Sequence, residues 1–428
     1  MKKLRIGILG FGTVGAGVYR IAMENHTQIM ERHRLDIEVA RILIKDFETE
    51  PNLHMAPREL FATDMSEIAS DGTIDVVVEC MGGVEPARTY ILEALNAKKT
   101  VVTSNKEVFS KNWLSFETAA KQNGVGLYHE ATVGGGIPVI RTLIDAMQAN
   151  DISEVMGIIN GTTNFILTKM TEEKMPFGEV LKEAQRLGYA EANPAADVEG
   201  WDATYKLSIL SSMAFHAHIP IDCIYREGIT RITPEDIQIA NQLGYEIKLL
   251  AIGKKCGNRV QVRVHPTMIK NTHPLASVRG SFNAVFLKGH AVGDVMLYGR
   301  GAGQMPTASA VMSDVIYAGL TSEHKYSTFE NVEGLSANVE LDRDWESVYC
   351  IRLNVLDRTG VLSAIAGVFA KHDVSLKNVL QVAEPCGQVP ITFITHSARE
   401  LAVQAALREI ARLNVVKNVE NLIRVEEN

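Results

Sequence analysis

The most constraining stretch of this chain is residues 4–15, where the apolar run Leu4-Arg5-Ile6-Gly7-Ile8-Leu9 passes directly into Gly10-Phe11-Gly12-Thr13-Val14-Gly15. The run reads as a β-strand, and residues 13–24 read as a helix. Between them Gly10 permits a tight turn, Gly12 lets the backbone approach a pyrophosphate, and Gly15 lets the helix pack closely on the strand. The helix start then offers free N–H groups and the positive end of a dipole to phosphate oxygens. Glycine turns also occur for purely structural reasons, so the context decides. Here β-rich runs at 37–44, 74–79, 100–103 and 125–129 alternate with helical patterns, among them 86–99 and one ending near 122. Strands separated by helices imply right-handed crossovers and a parallel sheet. Residues 1–134 are therefore expected to form a doubly wound Rossmann domain. It would hold a dinucleotide at Gly10, Phe11, Gly12, Thr13, Val14 and Gly15.

The second strand ends at Ile44-Lys45-Asp46. An acid there binds the ribose 2′-hydroxyl of NAD, and a base accepts the 2′-phosphate of NADP. Asp46 lies further from the glycines than the usual spacing of about 20 residues. The reading favours NADP through Lys45, with NAD tolerated.

Composition narrows the class. The 428 residues carry 43 Lys+Arg against 51 Asp+Glu, a net charge of −8, which argues against nucleic acid as a partner. No apolar run is long enough to span a membrane. The opening MKKLRIGILGFG runs into glycines and a helix rather than toward a cleavage site, so a strand is expected and not a signal peptide. Five scattered cysteines without a CxxC pair suggest no disulfide framework or zinc site, and a cytoplasmic location.

Beyond residue 134 strict alternation stops. Helices are expected near 165–173, 177–187 and 201–216, and strands at 152–159, 246–253, 259–268, 282–289 and 292–298. A final helix at 306–320 would pack back toward the first domain. Residues 135–325 thus read as an α+β catalytic and dimerisation domain. The polar stretch 326–346 reads as a linker tied down in places. Residues 347–428 read as a ferredoxin-like unit, with strands at 348–355, 376–382, 389–395 and 419–425 and helices at 361–371 and 401–413.

The densest chemistry lies at 188–206. Gly188 is placed to cap a helix. Asp202 and Lys206 are spaced i,i+4, which on a surface is an ion pair of little consequence. The helical wheel argues otherwise: Ala203, Leu207, Leu210, Met213 and Ala214 form an apolar stripe that includes Lys206, with Asp202 at its edge. Thr204, Ser208, Ser211 and Ser212 form the polar face. An inward lysine needs a partner, and desolvation draws its pKa down toward the range of an acid/base catalyst; a snorkelling structural lysine is the bland alternative. Glycine-dense stretches at 130–138, 160–164 and 299–307 complete a candidate cleft. In the second of these Thr162 or Thr163 is placed to cap a helix.

These blocks resemble the homoserine dehydrogenase family in its long bacterial form. The resemblance spans the chain: GFGTVG, TSNKE (103–107), EATVGGGIP (130–138), NGTTNFIL (160–167), LGYAEANPAADVEGWDATYK (187–206) and GRGAGQMPTASAVMSD (299–314). It implies reversible NAD(P)-dependent interconversion of L-homoserine and L-aspartate 4-semialdehyde in threonine, methionine and isoleucine biosynthesis. It implies that Lys206 is the acid/base residue, with Lys106 a second lysine near substrate and nicotinamide. Glu191, Asp202 and Asp197 would hold the substrate, Gly188 and Gly303 would touch the cofactor, and Glu130, Val133, Gly135 and Ile137 would offer carbonyl oxygens to a sodium ion.

The segment Tyr349–Leu362, YCIRLNVLDRTGVL, resembles the opening of an ACT domain. That implies L-threonine as effector, at Gly360 and Asn378, and a homodimer or homotetramer. Two alternatives stay open at this level. One is an aspartate-semialdehyde dehydrogenase using Cys80 as a thiolate. The other is an amino-acid-sensing protein with a vestigial dehydrogenase body.

Overall fold

The computed structural model describes residues 1–329, 334–381 and 388–427. Val382, expected at the end of a strand, Cys386 and part of the expected linker lie outside the described residues.

The first sheet is parallel and holds β1 (Lys2–Leu9), β2 (Leu35–Leu43), β3 (Phe61–Ala62), β4 (Val76–Glu79), β5 (Thr100–Thr103) and β6 (Leu127–Tyr128). Its order is β3-β2-β1-β4-β5-β6. The central strands are buried on both faces, which is why they read as apolar runs. They are covered by α1 (Thr13–Glu24), α2 (His26–His33), α3 (Ser66–Ala69), α4 (Ala87–Asn96) and α5 (Lys106–Asn123). The strand order reverses between β1 and β4, and a crevice opens beyond the carboxyl ends of the strands at such a point. The sequence pattern misses α2 because only Ile29 of its residues is buried.

After β6 come α6 (Val139–Arg141), which continues as the π-helical turn Thr142–Ala146, and β7 (Ile152–Ile158). Next are α7 (Gly161–Glu173), α8 (Phe177–Arg186), α9 (Ala195–Val198), α10 (Trp201–Phe215), β8 (Tyr225–Arg226) and α11 (Pro234–Gln242). The sequence reading has no counterpart of α11, although a Thr233–Asp236 capping box with Pro234 in its first turn marks its start. Then follow β9 (Tyr245–Cys256), β10 (Arg259–Lys270), β11 (Phe282–Gly289), β12 (Gly293–Arg300) and α12 (Gln304–Leu320). The last helix lies on α1, and Lys2 Nζ donates to Gly319 O at 2.7 Å.

The C-terminal unit holds β13 (Glu340–Leu341), β14 (Glu346–Leu356), α13 (Val361–Lys371), β15 (Leu376–Gln381), β16 (Gln388–Thr395), β17 (Ala398–Arg399), α14 (Glu400–Ile410) and β18 (Val416–Glu426). It has its own core under α13 and α14. It is not set apart by a linker, however. Its sheet runs into that of the middle domain in the order β12-β11-β7-β9-β10-β18-β14-β16-β15, because β18 pairs in parallel with β10 at Thr267↔Arg424, Met268↔Val425 and Ile269↔Glu426.

Arg424 and Glu426 are charged residues of β18. Both are buried, because each meets opposite charge across the seam. Arg424 pairs with Glu400 and Glu227, and Glu426 with Arg263 and Lys254. The described parts of the stretch expected as a linker, 326–329 and 334–346, are tied down on both other domains. Ser327 N–H donates to Glu117 at 2.7 Å, Ser336 N–H donates to His218 O at 3.1 Å, and β13 pairs with β10. Among the described residues no helix is long and apolar enough to cross a membrane.

Candidate active site

The cleft beyond the carboxyl ends of β1 and β5 has a volume of about 560 Å³ and is walled by both domains. One wall is the glycine turn. Gly10 has φ +87° and its N–H donates to Leu43 O at 2.9 Å, while a Cβ on Gly15 would overlap Gly10 O. Nothing lies within 4 Å of where a Cβ on Gly12 would stand, so this backbone is open to a ligand. Thr13 and Val14 face the cleft. Phe11 turns its ring into the core against Tyr19 and Phe61, and its carbonyl accepts from Asn52 Nδ2 at 2.8 Å. Lys45 is exposed at the end of β2. Asp46 is occupied locally: it accepts the N–H groups of Glu48 and Thr49 and the Thr49 hydroxyl, which hold its carboxyl below the usual range.

The opposite wall is α10, with Gly200 at its N-cap, φ +85°. The polar face expected there is not in solvent. Thr204, Ser208, Ser211 and Ser212 are all buried, because the helix is enclosed on every side. Backbone partners replace water for most of them: Thr204 Oγ1 donates to Gly200 O, Ser208 Oγ donates to Ile219 O, and Ser212 Oγ accepts from Ile219 N–H. Lys206 is buried, and its Nζ donates to Asp202 Oδ2 at 2.7 Å and Ile159 O at 2.8 Å.

Lys106 reaches the same carboxylate from the first domain, Nζ to Asp202 Oδ1 at 3.2 Å, and keeps 42% of its side chain exposed. It stands at the first residue of α5 because Asn105 caps that helix by accepting Val108 N–H. Burial by itself would raise the Asp202 carboxyl, but Lys206 and Lys106 outweigh it and hold it well below the carboxylate range. Asp202 in turn raises Lys106.

The residue that sequence reasoning missed is Asn160. Its Nδ2 donates to Asp197 Oδ1 at 2.7 Å and to Asp202 Oδ2 at 2.9 Å, and its Oδ1 caps α7 through Thr163 N–H. The cap is therefore Asn160 and not Thr162 or Thr163; Thr162 Oγ1 donates instead to Tyr189 O. The signal was the asparagine opening NGTTN at a strand-to-helix junction. Burial, with Asp202 nearby, pushes the Asp197 carboxyl up.

Gly188 and Gly303 line the cleft at φ +78° and φ +118°, the first just past the end of α8 and the second at the N-cap of α12. The structure does not bring Glu191 to this cluster. It is exposed on the loop after α8, where Gln185 Nε2 ties down its carbonyl at 3.1 Å.

Glu130, Val133, Gly135 and Ile137 lie together on the loop after β6, with Gly135 at the cleft. The Glu130 carboxylate faces away from the cleft: it accepts the N–H groups of Ile140 and Arg141 at the start of α6, and burial beside Asp314 pushes it up to about 7. Gly360 has φ +88° at the start of α13, and Asn378 is exposed on β15.

Residues 10–130 match the family model "Homoserine dehydrogenase, NAD binding domain", residues 138–316 match "Homoserine dehydrogenase", and residues 351–415 match "ACT domain". The chain is 39% identical to homoserine dehydrogenase of Bacillus subtilis (strain 168), covering all of this chain and 99% of that one. This chain belongs to the homoserine dehydrogenase family. A crystal structure of the Thiobacillus denitrificans homoserine dehydrogenase matches with a TM-score of 0.92 at 38% identity, over 100% of this chain and 99% of that one. A hyperthermophilic archaeal homoserine dehydrogenase in complex with NADPH matches at 0.64 and 28% identity, over 74% of this chain and 98% of that one.

Homoserine dehydrogenase is an oxidoreductase, and the site is arranged for such chemistry. The thiolate alternative loses its footing: burial first, and then Glu79, push the Cys80 thiol up, the reverse of what a nucleophile needs.

Proposed function

We propose that the protein interconverts L-homoserine and L-aspartate 4-semialdehyde with NADP, and that Lys206 exchanges the proton of the substrate hydroxyl. The observation that carries this reading is the shared carboxylate: Asp202 lies between the ammonium groups of Lys206 and Lys106 at the edge of a cleft that also faces the glycine turn. An ammonium has three donors. Asp202 and Ile159 take two from Lys206 and leave one direction for the hydroxyl oxygen. For oxidation Lys206 starts as the neutral amine, its lone pair in that third direction, and becomes the ammonium by taking the hydroxyl proton; on reduction the ammonium returns it, and Asp202 fixes its aim. The nicotinamide, when bound, supplies or accepts the hydride. The substrate ammonium is held by Asp197 and Asp202, with Asn160 keeping the two carboxylates at one separation. The charge it brings compensates the desolvated Asp197. Glu191 joins them only where the loop after α8 folds over the bound substrate.

NADP is favoured because Asp46 is spent on its own turn while Lys45 is exposed beside it to meet a 2′-phosphate, and an NADPH complex exists for the archaeal relative. Sodium would be held by the carbonyls of Glu130, Val133, Gly135 and Ile137. Those of Val133 and Gly135 accept no hydrogen bond among the described residues. The ACT domain is assigned to L-threonine, at Gly360 and Asn378. A second copy of the chain would cover β12, the last strand of its sheet, which presents Met296 and Tyr298 to solvent.

Initial rates with homoserine and each of NADP and NAD, in sodium or choline salts, with and without threonine, test all of these together. Failure of homoserine to reduce either nucleotide would leave the sensor reading standing.

A further inference from the structure

The segment 226–229 is not part of the cleft, yet it grips the turn that carries two of the cleft's carboxylates. Ile229 N–H donates to Val198 O at 2.8 Å. The Arg226 guanidinium donates to Glu199 O and lies 3.7 Å from the centroid of the Trp201 ring. Between them Gly228 is pressed so closely on the turn that a Cβ there would overlap Val198 O and stand 2.6 Å from Glu199 Cα. The gripped residues 198–201 lie directly between Asp197 and Asp202.

The grip is itself anchored. Glu227 N–H donates to Val264 O of β10 at 2.8 Å, and its carboxylate pairs with Arg424 of β18 at 2.9 Å. Arg424 is 1% exposed and also binds Glu400 and the Tyr225 hydroxyl. A buried guanidinium held by four hydrogen bonds of this kind keeps one geometry.

We propose that residues 226–229 are a positioning clamp that sets Asp197 and Asp202 against Lys206 and Lys106, and that Arg424 of the ACT domain fixes the clamp through Glu227. This rests on the assignment of those carboxylates to homoserine above. The clamp touches neither substrate nor cofactor, so its effect should fall on homoserine alone. Displacements of about 1 Å at such a site reduce turnover by up to about 10²-fold.

The test uses the full chain with Gly228→Ala, which pushes on the turn and leaves the buried charges intact, and Glu227→Gln, which removes the charged link. Three quantities are read: the kcat/KM and KM for homoserine, the Kd of NADPH from fluorescence titration, and the unfolding midpoint. The clamp requires Gly228→Ala to lose roughly tenfold or more in kcat/KM, with KM raised and the NADPH Kd unchanged. Glu227→Gln should lose in the same direction by a smaller factor. Wild-type kcat/KM in a folded Gly228→Ala would overturn it, and so would an equal weakening of NADPH, which would mean general loosening. If Gly228→Ala does not fold, Glu227→Gln decides: lower kcat/KM at unchanged NADPH Kd supports the clamp, and unchanged kcat/KM overturns it. Absence of homoserine turnover by the wild type would instead sink the functional reading beneath it.

Discussion

Of the three lysines buried among the described residues, Lys99, Lys206 and Lys248, only Lys206 lines the cleft, and the contrast with Lys248 is the instructive one. Lys248, on β9, is the more deeply buried, at 1% exposure against 8% for Lys206. Among the described residues its ammonium has a single hydrogen-bond partner, Val278 O at 2.7 Å. The nearby carboxylate of Glu246 is taken up by Arg279 in a two-pronged pair at 2.7 and 2.9 Å. Burial, helped by Arg279, pushes Lys248 down to about 8. Lys206 has a carboxylate of its own, shares it with a second lysine from another domain, and sits at the edge of a cleft. Desolvation alone therefore does not mark a catalytic lysine. A lysine does chemistry when its partner orients it and one of its donors is left for a substrate.

The comparison breaks first at the ammonium groups. Lys206→Ala should lower kcat by about 10²-fold or more while NADPH binding stays near normal. Lys248→Met should leave kcat/KM within about twofold. Steady-state rates and an NADPH titration separate the two, and wild-type-like turnover in the first variant would remove Lys206 from the mechanism.

Asp202→Asn should come next, with loss in kcat/KM and in stability together. It leaves two ammonium groups facing a neutral amide, a change that costs on the order of 3 kcal/mol where one partner of a buried pair is removed. Denaturant unfolding alongside kinetics measures both losses.

Lys248 has a predicted signature of its own. Its ammonium titrates at about 8 in the folded protein against 10.5 for the ordinary group. Between those values the unfolded chain binds the extra proton, so this contribution to stability rises with pH across the window. Its size is on the order of 3 kcal/mol. Lys248→Met should remove that rise, which unfolding midpoints measured on either side of the window would reveal.

The smallest effect is expected for Glu191→Gln. As the loop stands, kcat/KM should change by no more than about twofold. A loss comparable to that of Asp202→Asn would show that the loop closes on the substrate.

Much of this was legible in the chain. Periodicity placed α1, β5, β11 and α13 at their observed bounds, because each is a single amphipathic or apolar run that ends at a glycine, a proline or a polar turn. The i,i+4 pair of Asp202 and Lys206, and its inward aim, followed from helical geometry alone. The wheel still misread the other face of α10: its four small hydroxyls look solvent-facing in the sequence, yet all are buried, and Thr204, Ser208 and Ser212 are satisfied by backbone groups. An inward-lysine argument also fits Lys248, and nothing in residues 246–253 tells the two apart.

What the sequence determined by itself is the set of local commitments: a glycine turn between strand and helix, caps, apolar faces, and a lysine four residues after an aspartate. These depend on neighbours within a turn or two of the chain. The tertiary structure decided which of them meet. It brought Lys106 from the first domain to Asp202, joined Asp197 to Asp202 through Asn160, left Glu191 outside, and fused β18 into the middle sheet so that Arg424 reaches Glu227. Those contacts depend on sheet register and domain packing, where a displacement of a few ångströms makes or breaks a hydrogen bond. No short-range pattern in the chain encodes a distance of that kind.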